Sequence, residues 1–251
     1  MRIAVIGGTG AVGRHAVDAV KRSGHEPVVV ARSRGVDAST GAGLDAALAG
    51  VAAVVDVTSF QAADADAARR LFGGATKNLL AAGKRAGVKH HVLISIVGLD
   101  RIEGNAHYAG KREQEGLVSS GPIPWTIQRA TQFHEFAAMV AEWTTRGDTA
   151  LVPPALVQPI AAADVGAVLA EIAIGAPRGM AVDLAGPEPQ DLFDMARRTL
   201  AARGASLRLV PSWRGGVYAA EAAGEVLLPA PNARLAKTTF DEWLAVEGKR
   251  R

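Results

Sequence analysis

Apolar runs bounded by glycine alternate with stretches of helical periodicity along the first half of the chain. The run Ile3 to Ile6 is apolar at every position, as a strand must be when both faces are buried in a parallel sheet. Residues Val12 to Ser23 have helical spacing and stop at Gly24. Val28-Val29-Val30 predicts a second strand, Leu44 to Leu48 a short helix, and Val54 to Val57 a further strand. A long helix is predicted from about Ala65 to Arg85, ending near Gly87. His91 to Val97 predicts the next strand, the region from Tyr108 to Ser119 a helix, and Trp125 to Arg129 a strand. Strands and helices in strict alternation imply right-handed βαβ crossovers and a parallel sheet.

After about residue 133 the rhythm loosens. Pro153, Pro154 and Pro159 interrupt the chain, and Asp164 to Ile174 predicts a helix capped by its aspartate. Ala181 to Leu184 predicts one more strand of the sheet. From Gly186 onward, Pro187, Pro189, Pro211, Pro229 and Pro231 punctuate short helices. The expected organisation is a core over residues 1–133, with 155–186 returning to it. Residues 134–154 and 187–251 then form a smaller, mostly helical lobe at the C-terminal edge of the sheet.

With 251 residues, 49% of them hydrophobic and 21% charged, the chain has the composition of a globular α/β protein. A net charge of +3 is too small for a nucleic-acid footprint, and no helix-turn-helix or basic stripe is present. The densest basic run, Lys249-Arg250-Arg251, reads as a solvated end. The absence of cysteine excludes disulfides, cysteine-based metal sites and thiol nucleophiles. His90-His91 has no carboxylate at ligand spacing, so no metal is expected. The chain enters a strand at once, and its longest apolar stretch, around Ala46 to Val55, is too short for a bilayer. A cytoplasmic protein is the expectation. Trp125, Trp143, Trp213 and Trp243 read as packing anchors, and Phe136 with Met139 as the buried stripe of a helix.

Candidate chemistry begins at Gly7-Gly8-Thr9-Gly10-Ala11-Val12-Gly13. This run follows an apolar strand directly, leads into a helix near Ala11, and fits G-x-G-x-x-G from Gly8. Glycine serves there for a tight turn, close backbone approach to a pyrophosphate, and close helix-on-sheet packing. The free N–H groups and positive dipole end of the helix then face the phosphates. The fold class that follows is α/β, a Rossmann-type doubly wound parallel sheet. An NAD-selective site places an acid about 20 residues beyond the loop, on the ribose 2′-hydroxyl. Here Val28-Val29-Val30-Ala31 runs instead into Arg32-Ser33-Arg34. A guanidinium forks onto a 2′-phosphate that a carboxylate would repel, so Arg32 favours NADP(H) over NAD(H).

With these motifs the sequence resembles the atypical short-chain dehydrogenase/reductases, specifically the NmrA-like NAD(P)-binding group. Beyond the glycine loop, the carriers are Val30-Ala31-Arg32-Ser33, Val55-Asp56-Val57-Thr58, Val92-Leu93-Ile94-Ser95, Tyr108-Ala109-Gly110-Lys111 and Gln128-Arg129-Ala130-Thr131-Gln132-Phe133. Gln158-Pro159-Ile160, Asp164-Val165, Ala185-Gly186-Pro187-Glu188 and Phe240-Asp241-Glu242-Trp243-Leu244 extend the likeness over most of the chain. The resemblance implies that Arg32 and Ser33 meet the adenosine end, with Asp37 on the adenine side after a very short third strand. It places Val57, Thr58 and Ser59 past a fourth strand, beside adenosine and ribose. Thr131, Gln132 and Phe133 follow a sixth strand, beside the nicotinamide.

For catalysis, the resemblance implies a Tyr-x-x-x-Lys pair and a serine on the preceding strand. Ser95 and Lys111 match, and Lys111 would hold the nicotinamide ribose. The position four before Lys111 is His107, and Tyr108 is three before it. Both spacings face Lys111 on a helix, so either His107 or Tyr108 stands as the proton donor, or both merely line a pocket. His134 and Glu135 border either a substrate pocket or a solvated helix start. Two functions follow. One is NADPH-dependent reduction of a small carbonyl, quinone or similar acceptor. The other is a redox-sensing regulator that binds NADP(H) without turnover and acts through a protein partner. A small-molecule substrate is expected, a homo-oligomer or protein partner is compatible, and neither nucleic acid nor membrane is expected as a partner.

Overall fold

Strand β1 of the computed structural model, which describes residues 1–214 and 217–247, spans Arg2–Ile6 and is almost wholly buried. It leads into helix α1 (Gly13–Arg22) and strand β2 (Glu26–Val30), after which Arg32–Arg34 makes one 3-10 turn. Then follow α2 (Leu44–Leu48), β3 (Val51–Asp56), α3 (Ala65–Ala86), β4 (His90–Ile96), α4 (Ala106–Ser119) and β5 (Trp125–Ala130). The later chain forms α5 (Phe136–Thr144), β6 (Thr149–Val152), β7 (Leu156–Val157), α6 (Ala162–Ile174), β8 (Gly179–Met180) and β9 (Leu184–Ala185). It ends with β10 (Gln190–Asp191), α7 (Leu192–Ala202), β11 (Arg208–Pro211), β12 (Arg234–Leu235) and α8 (Phe240–Glu247). The run Lys249-Arg250-Arg251 lies outside the described residues.

The chain divides into two compact units. The first comprises 1–99, 106–129 and 162–182, and the second 100–105, 130–161 and 183–251. Residues 100–105, 130–133, 155–161 and 183–186, expected in the core, thus fall in the second unit. In the first unit the strands lie in the order β5-β4-β3-β1-β2, with β8 beside β5. β1 pairs in parallel with both β2 and β3, and β3 with β4. The chain winds outward from β1 in both directions, so β1 and β3 flank the switch point where such sheets bind ligands. Helix α1 packs with α6, and α3 with α4 and α2. α3 is held at its start by Asp64, whose carboxylate accepts from Ala67 N at 2.7 Å. Gly87, at φ +73°, ends it.

The second unit is built around α5, α7 and α8 with short strand pairs. β7 and β10 run antiparallel, β6 and β11 parallel, and β9 pairs β12 and Ala130. Helix α8 starts with a capping box: Thr239 N donates to Glu242 Oε2, and Glu242 N to Thr239 Oγ1.

Several expectations need correction. α1 begins at Gly13, not near Ala11, because Thr9 and Gly10 are taken up by the turn that Gly10 N closes onto Gly7 O. β3 begins at Val51, before the apolar run expected at Val54, because Arg2 and Ile3 pair with Val51 and Ala53. No strand forms near Asp37, which makes only an isolated bridge with Ala42. Its carboxylate accepts from Ser39 N and Ser39 Oγ, closing a turn in place of a ladder. The strands counted above as fourth and sixth are therefore β3 and β5. Asp164 lies in the first turn of α6, two residues past its start, where its charge still complements the helix dipole. The strand expected over Ala181 to Leu184 is two short pieces, β8 and β9, set apart by a shift in pairing along β5 from Thr126-Ile127 to Ala130.

Candidate functional site

The glycine loop is shaped by its own backbone. Gly7 and Gly8 both donate to Val30 O, at 2.9 and 3.2 Å, which ties the turn to the end of β2. Gly7 sits at φ +80°, a left-handed conformation that costs a side-chain-bearing residue about 1 kcal/mol or more. A Cβ on Gly13 would overlap the Gly7 carbonyl and stand 2.7 Å from Gly8 Cα, so the helix start and the turn approach each other only with glycine. Thr9, Gly10 and Ala11 are exposed along this turn. α1 has no acidic residue in its first turn and no side-chain cap, so its leading N–H groups and positive dipole end suit an anion.

Val57 lies against this loop, its carbonyl 3.1 Å from where a Gly7 Cβ would stand. Beyond it come the buried Thr58 and the exposed Ser59. Arg32, Ser33 and Arg34 are all exposed at the end of β2. The hydrogen bonds of Ser39, with the Arg32 charge adding to them, hold the Asp37 carboxyl below its usual range.

α4 carries a buried polar network that sequence reasoning found only in part. Lys111 is 3% exposed. Its ammonium donates to Ile94 O at 2.8 Å and Gln114 Oε1 at 2.7 Å, with Thr58 O at 3.4 Å. The Gln114 amide donates onward to Asp56 Oδ2 at 3.0 Å and Thr58 Oγ1 at 3.2 Å. Gln114 thus links the lysine to a fully buried carboxylate. Burial lowers the Lys111 ammonium to about 8, while Asp56 and Glu115 hold it up. Burial works to raise Asp56, but His91, Lys111 and the Thr58 N–H outweigh it and its carboxyl is held low. His91 is also fully buried, its Nε2 3.7 Å from Asp56 Oδ2, with no hydrogen-bond partner among the described residues. Gln114 was legible as the i+3 neighbour of Lys111. Nothing along the sequence marks His91 as the neighbour of Asp56, because only the β3–β4 register joins them.

His107 packs edge-on against Phe72, ring centroids 5.2 Å apart. Burial, with the Lys111 charge, lowers it to about 4 against an opposing hydrogen bond that its ring donates to the Phe60 backbone carbonyl. Its imidazole is neutral at pH 7. Tyr108 is 3% exposed. Ser95 is equally buried, and its hydroxyl has no hydrogen-bond partner among the described residues. These placements bring Ser95, His107, Tyr108 and Lys111 onto β4 and α4 of the first unit.

In the second unit, Thr131 Oγ1 donates to Gln158 O at 2.6 Å, and Phe133 bridges Ile160. Gln132 is buried, and its Nε2 donates to the Tyr218 hydroxyl at 3.5 Å. His134 lies in an aromatic cluster, 5.6 Å from both Phe240 and Trp243, and contacts Thr238 O at 3.3 Å. It anchors α8 and does not open to solvent. Met139 and Trp143 are 38% and 42% exposed, so neither is the buried anchor expected, because the one-turn stripe of α5 faces outward there. Among the described residues no cluster of three metal-ligating side chains forms, and no helix is long and apolar enough to cross a membrane.

Solved structures share this fold at low identity. A short-chain dehydrogenase/reductase superfamily protein from Agrobacterium tumefaciens, solved with bound NAD, is 19% identical over 99% of this chain and 96% of that one, with a TM-score of 0.70. An NADPH-dependent quinone oxidoreductase from Escherichia coli, complexed with NADPH, is 20% identical over 84% and 78%, with a TM-score of 0.64. A triphenylmethane reductase from Citrobacter sp. is 18% identical over 85% and 79%, with a TM-score of 0.63. No curated protein matches the sequence. The family model for NAD(P)H binding matches residues 7–174, taking in the glycine loop, the buried α4 network and α6. The chain belongs to the NAD(P)H-binding family.

Proposed function

We propose that this protein binds NADP(H) and uses it to reduce a small carbonyl, quinone or similar acceptor. The observation that carries the reading is the cradle at Gly7–Gly13, which a Cβ at Gly13 would fill, together with the uncapped start of α1. The backbone of Gly7, Gly8, Thr9, Gly10, Ala11, Val12 and Gly13 holds the pyrophosphate. Arg32 and Ser33 take the 2′-phosphate, and Asp37 the adenine side. Val57, Thr58 and Ser59 pass the adenosine and its ribose. Thr131, Gln132 and Phe133 lie along the nicotinamide. Lys111 serves the nicotinamide ribose by exchanging its long contact to Thr58 O for a ribose hydroxyl. The unpartnered hydroxyl of Ser95 meets the substrate oxygen. The bound cofactor supplies the hydride. Among the structural relatives, the Escherichia coli protein is named an NADPH-dependent quinone oxidoreductase and the Citrobacter protein a triphenylmethane reductase.

Calorimetry with NADPH and NADH tests the cofactor, and nicotinamide absorbance with quinones and aldehydes tests the reaction. NADPH binding with oxidation by an acceptor is the expected outcome. Equal affinity for the two cofactors would sink the NADP(H) assignment. A second reading is favoured by Lys111, whose ammonium is committed to internal acceptors, and by the neutral His107. Both suit a regulator that binds NADP(H) without turnover and signals to a protein partner. Tight NADPH binding with no oxidation by any acceptor puts that reading first.

A further inference from the structure

An ammonium carries three protons. In Lys111 two are engaged at short range, by Ile94 O at 2.8 Å and Gln114 Oε1 at 2.7 Å, and the third has only Thr58 O at 3.4 Å. Nζ also lies over the Phe72 ring of α3, 5.5 Å from its centroid. A charge so enclosed is unfavourable unless an opposite charge offsets it.

Asp56 supplies that charge from within the same unit. It is the last residue of β3, beside the switch point, and is fully buried. Its Oδ1 accepts from Thr58 N at 3.0 Å and Thr58 Oγ1 at 2.7 Å. Its Oδ2 accepts from Gln114 Nε2 at 3.0 Å, with His91 Nε2 of β4 at 3.7 Å. These bonds favour the carboxylate. On its own helix Lys111 also faces Glu115 and His107. Glu115 is engaged by Arg129 of β5 through two bonds, at 2.9 and 2.7 Å, and His107 is neutral at pH 7. Asp56 is therefore the main influence that keeps the ammonium protonated.

Gln114 is fully buried between the two charges. Its orientation is dictated by them. The amide oxygen meets the cation, and the amide nitrogen meets the carboxylate and Thr58 Oγ1 at 3.2 Å. Turned the other way, N–H groups would face the ammonium and an oxygen would face the carboxylate. The amide thus passes the attraction along as a dipole while holding the charges apart.

We propose that Asp56 and Gln114 are positioning residues for the cofactor: Asp56 keeps Lys111 charged, and Gln114 keeps it out of a direct ion pair, so that its third proton is left for a ribose hydroxyl of NAD(P)H. The proposal rests on the cofactor reading above. The two residues act on Lys111 in different ways, so their replacements leave different signatures.

Carbon-13 NMR of lysine Cε follows the Lys111 titration without cofactor, its signal being the one absent from Lys111→Arg. Wild type is expected to titrate at about 8. Asp56→Asn should move the midpoint down by about one pH unit or more. Gln114→Ala, which lets the ammonium fall back onto Asp56, should move it up. Calorimetry with NADPH then reads the consequence. Asp56→Asn should bind within about twofold of wild type at pH 6.5, where both lysines are charged, and severalfold more weakly at pH 9. Gln114→Ala should bind more weakly at both. A Lys111 midpoint indifferent to Asp56→Asn overturns the proposal. So does an Asp56→Asn defect of equal size at every pH, or wild-type affinity in Gln114→Ala. If Asp56→Asn fails to fold, a midpoint that does not rise in Gln114→Ala overturns it alone. If NADPH does not bind wild type at all, the cofactor reading falls, and the Lys111 midpoints still decide whether Asp56 sets its charge.

Discussion

Arg32 is exposed at the end of β2, and the nearby Asp37 carboxylate is taken up by its own turn with Ser39. Its guanidinium is therefore suited to a phosphate. Arg32→Ala is expected to weaken NADPH at least about tenfold and leave NADH unchanged, since a bidentate charged contact contributes roughly 1.5–3 kcal/mol. Calorimetry checks this, and an unaltered NADPH:NADH ratio counts against it. Gly10 is exposed, and a Cβ there meets only Gly7 O at 3.2 Å. Gly10→Val is expected to abolish NADPH binding with little change in thermal stability, whereas Gly13→Val, which collides with the turn itself, should lose both. Binding at wild-type affinity in Gly10→Val would make the loop purely structural. These residues were legible because a glycine pattern between a strand and a helix carries its geometry with it. The state of His107 was not. Its spacing to Lys111 is written in the sequence, but its neutrality comes from Phe72 and Lys111 packing around it.

At the scale of elements, α4 packs on α3 so closely that a Cβ on Gly110 would lie 2.8 Å from Phe72 Cε2. The same helix buries His107 and Lys111, and both titrations bear on stability. His107 falls from 6.5 to about 4 on folding. The unfolded chain takes up this proton first, so stability is full above pH 6.5 and is lost as pH falls toward 4. His107→Phe is expected to flatten that acid limb in urea unfolding, and a limb of unchanged slope would refute it. Lys111 falls from 10.5 to about 8. Between those values the unfolded chain holds a proton the folded one has released, so wild type should gain on Lys111→Met as pH rises from 8 to 10.5. Paired thermal melts across that range measure the gain, and a constant difference would show that burial does not tune this amine. Helix positions and the i+3 relation of Lys111 to Gln114 can be read along the chain. The link from Gln114 to Asp56 spans 58 residues and exists only once β3 and α4 are packed.

For the whole molecule, a ligand that binds only the folded state stabilises it by mass action, about 2.7 kcal/mol at a hundred times Kd. NADPH should therefore raise Tm by a few degrees, and NADH at equal concentration should raise it less. Identical shifts would contradict selection by Arg32. The sequence by itself determined the α/β class, the dinucleotide loop and the alternation of strands and helices along the first half of the chain, because each rests on local periodicity and on glycines adjacent along the chain. Tertiary structure alone decided where the two units divide, that Asp37 closes a turn in place of a strand, and that Asp56, His91, Gln114 and Lys111 share one buried network. It also brought Tyr218 beside Gln132, 86 residues away. Strand register and helix packing make these contacts, and the free energies that fix them depend on burial among distant segments, which no local pattern of residues records.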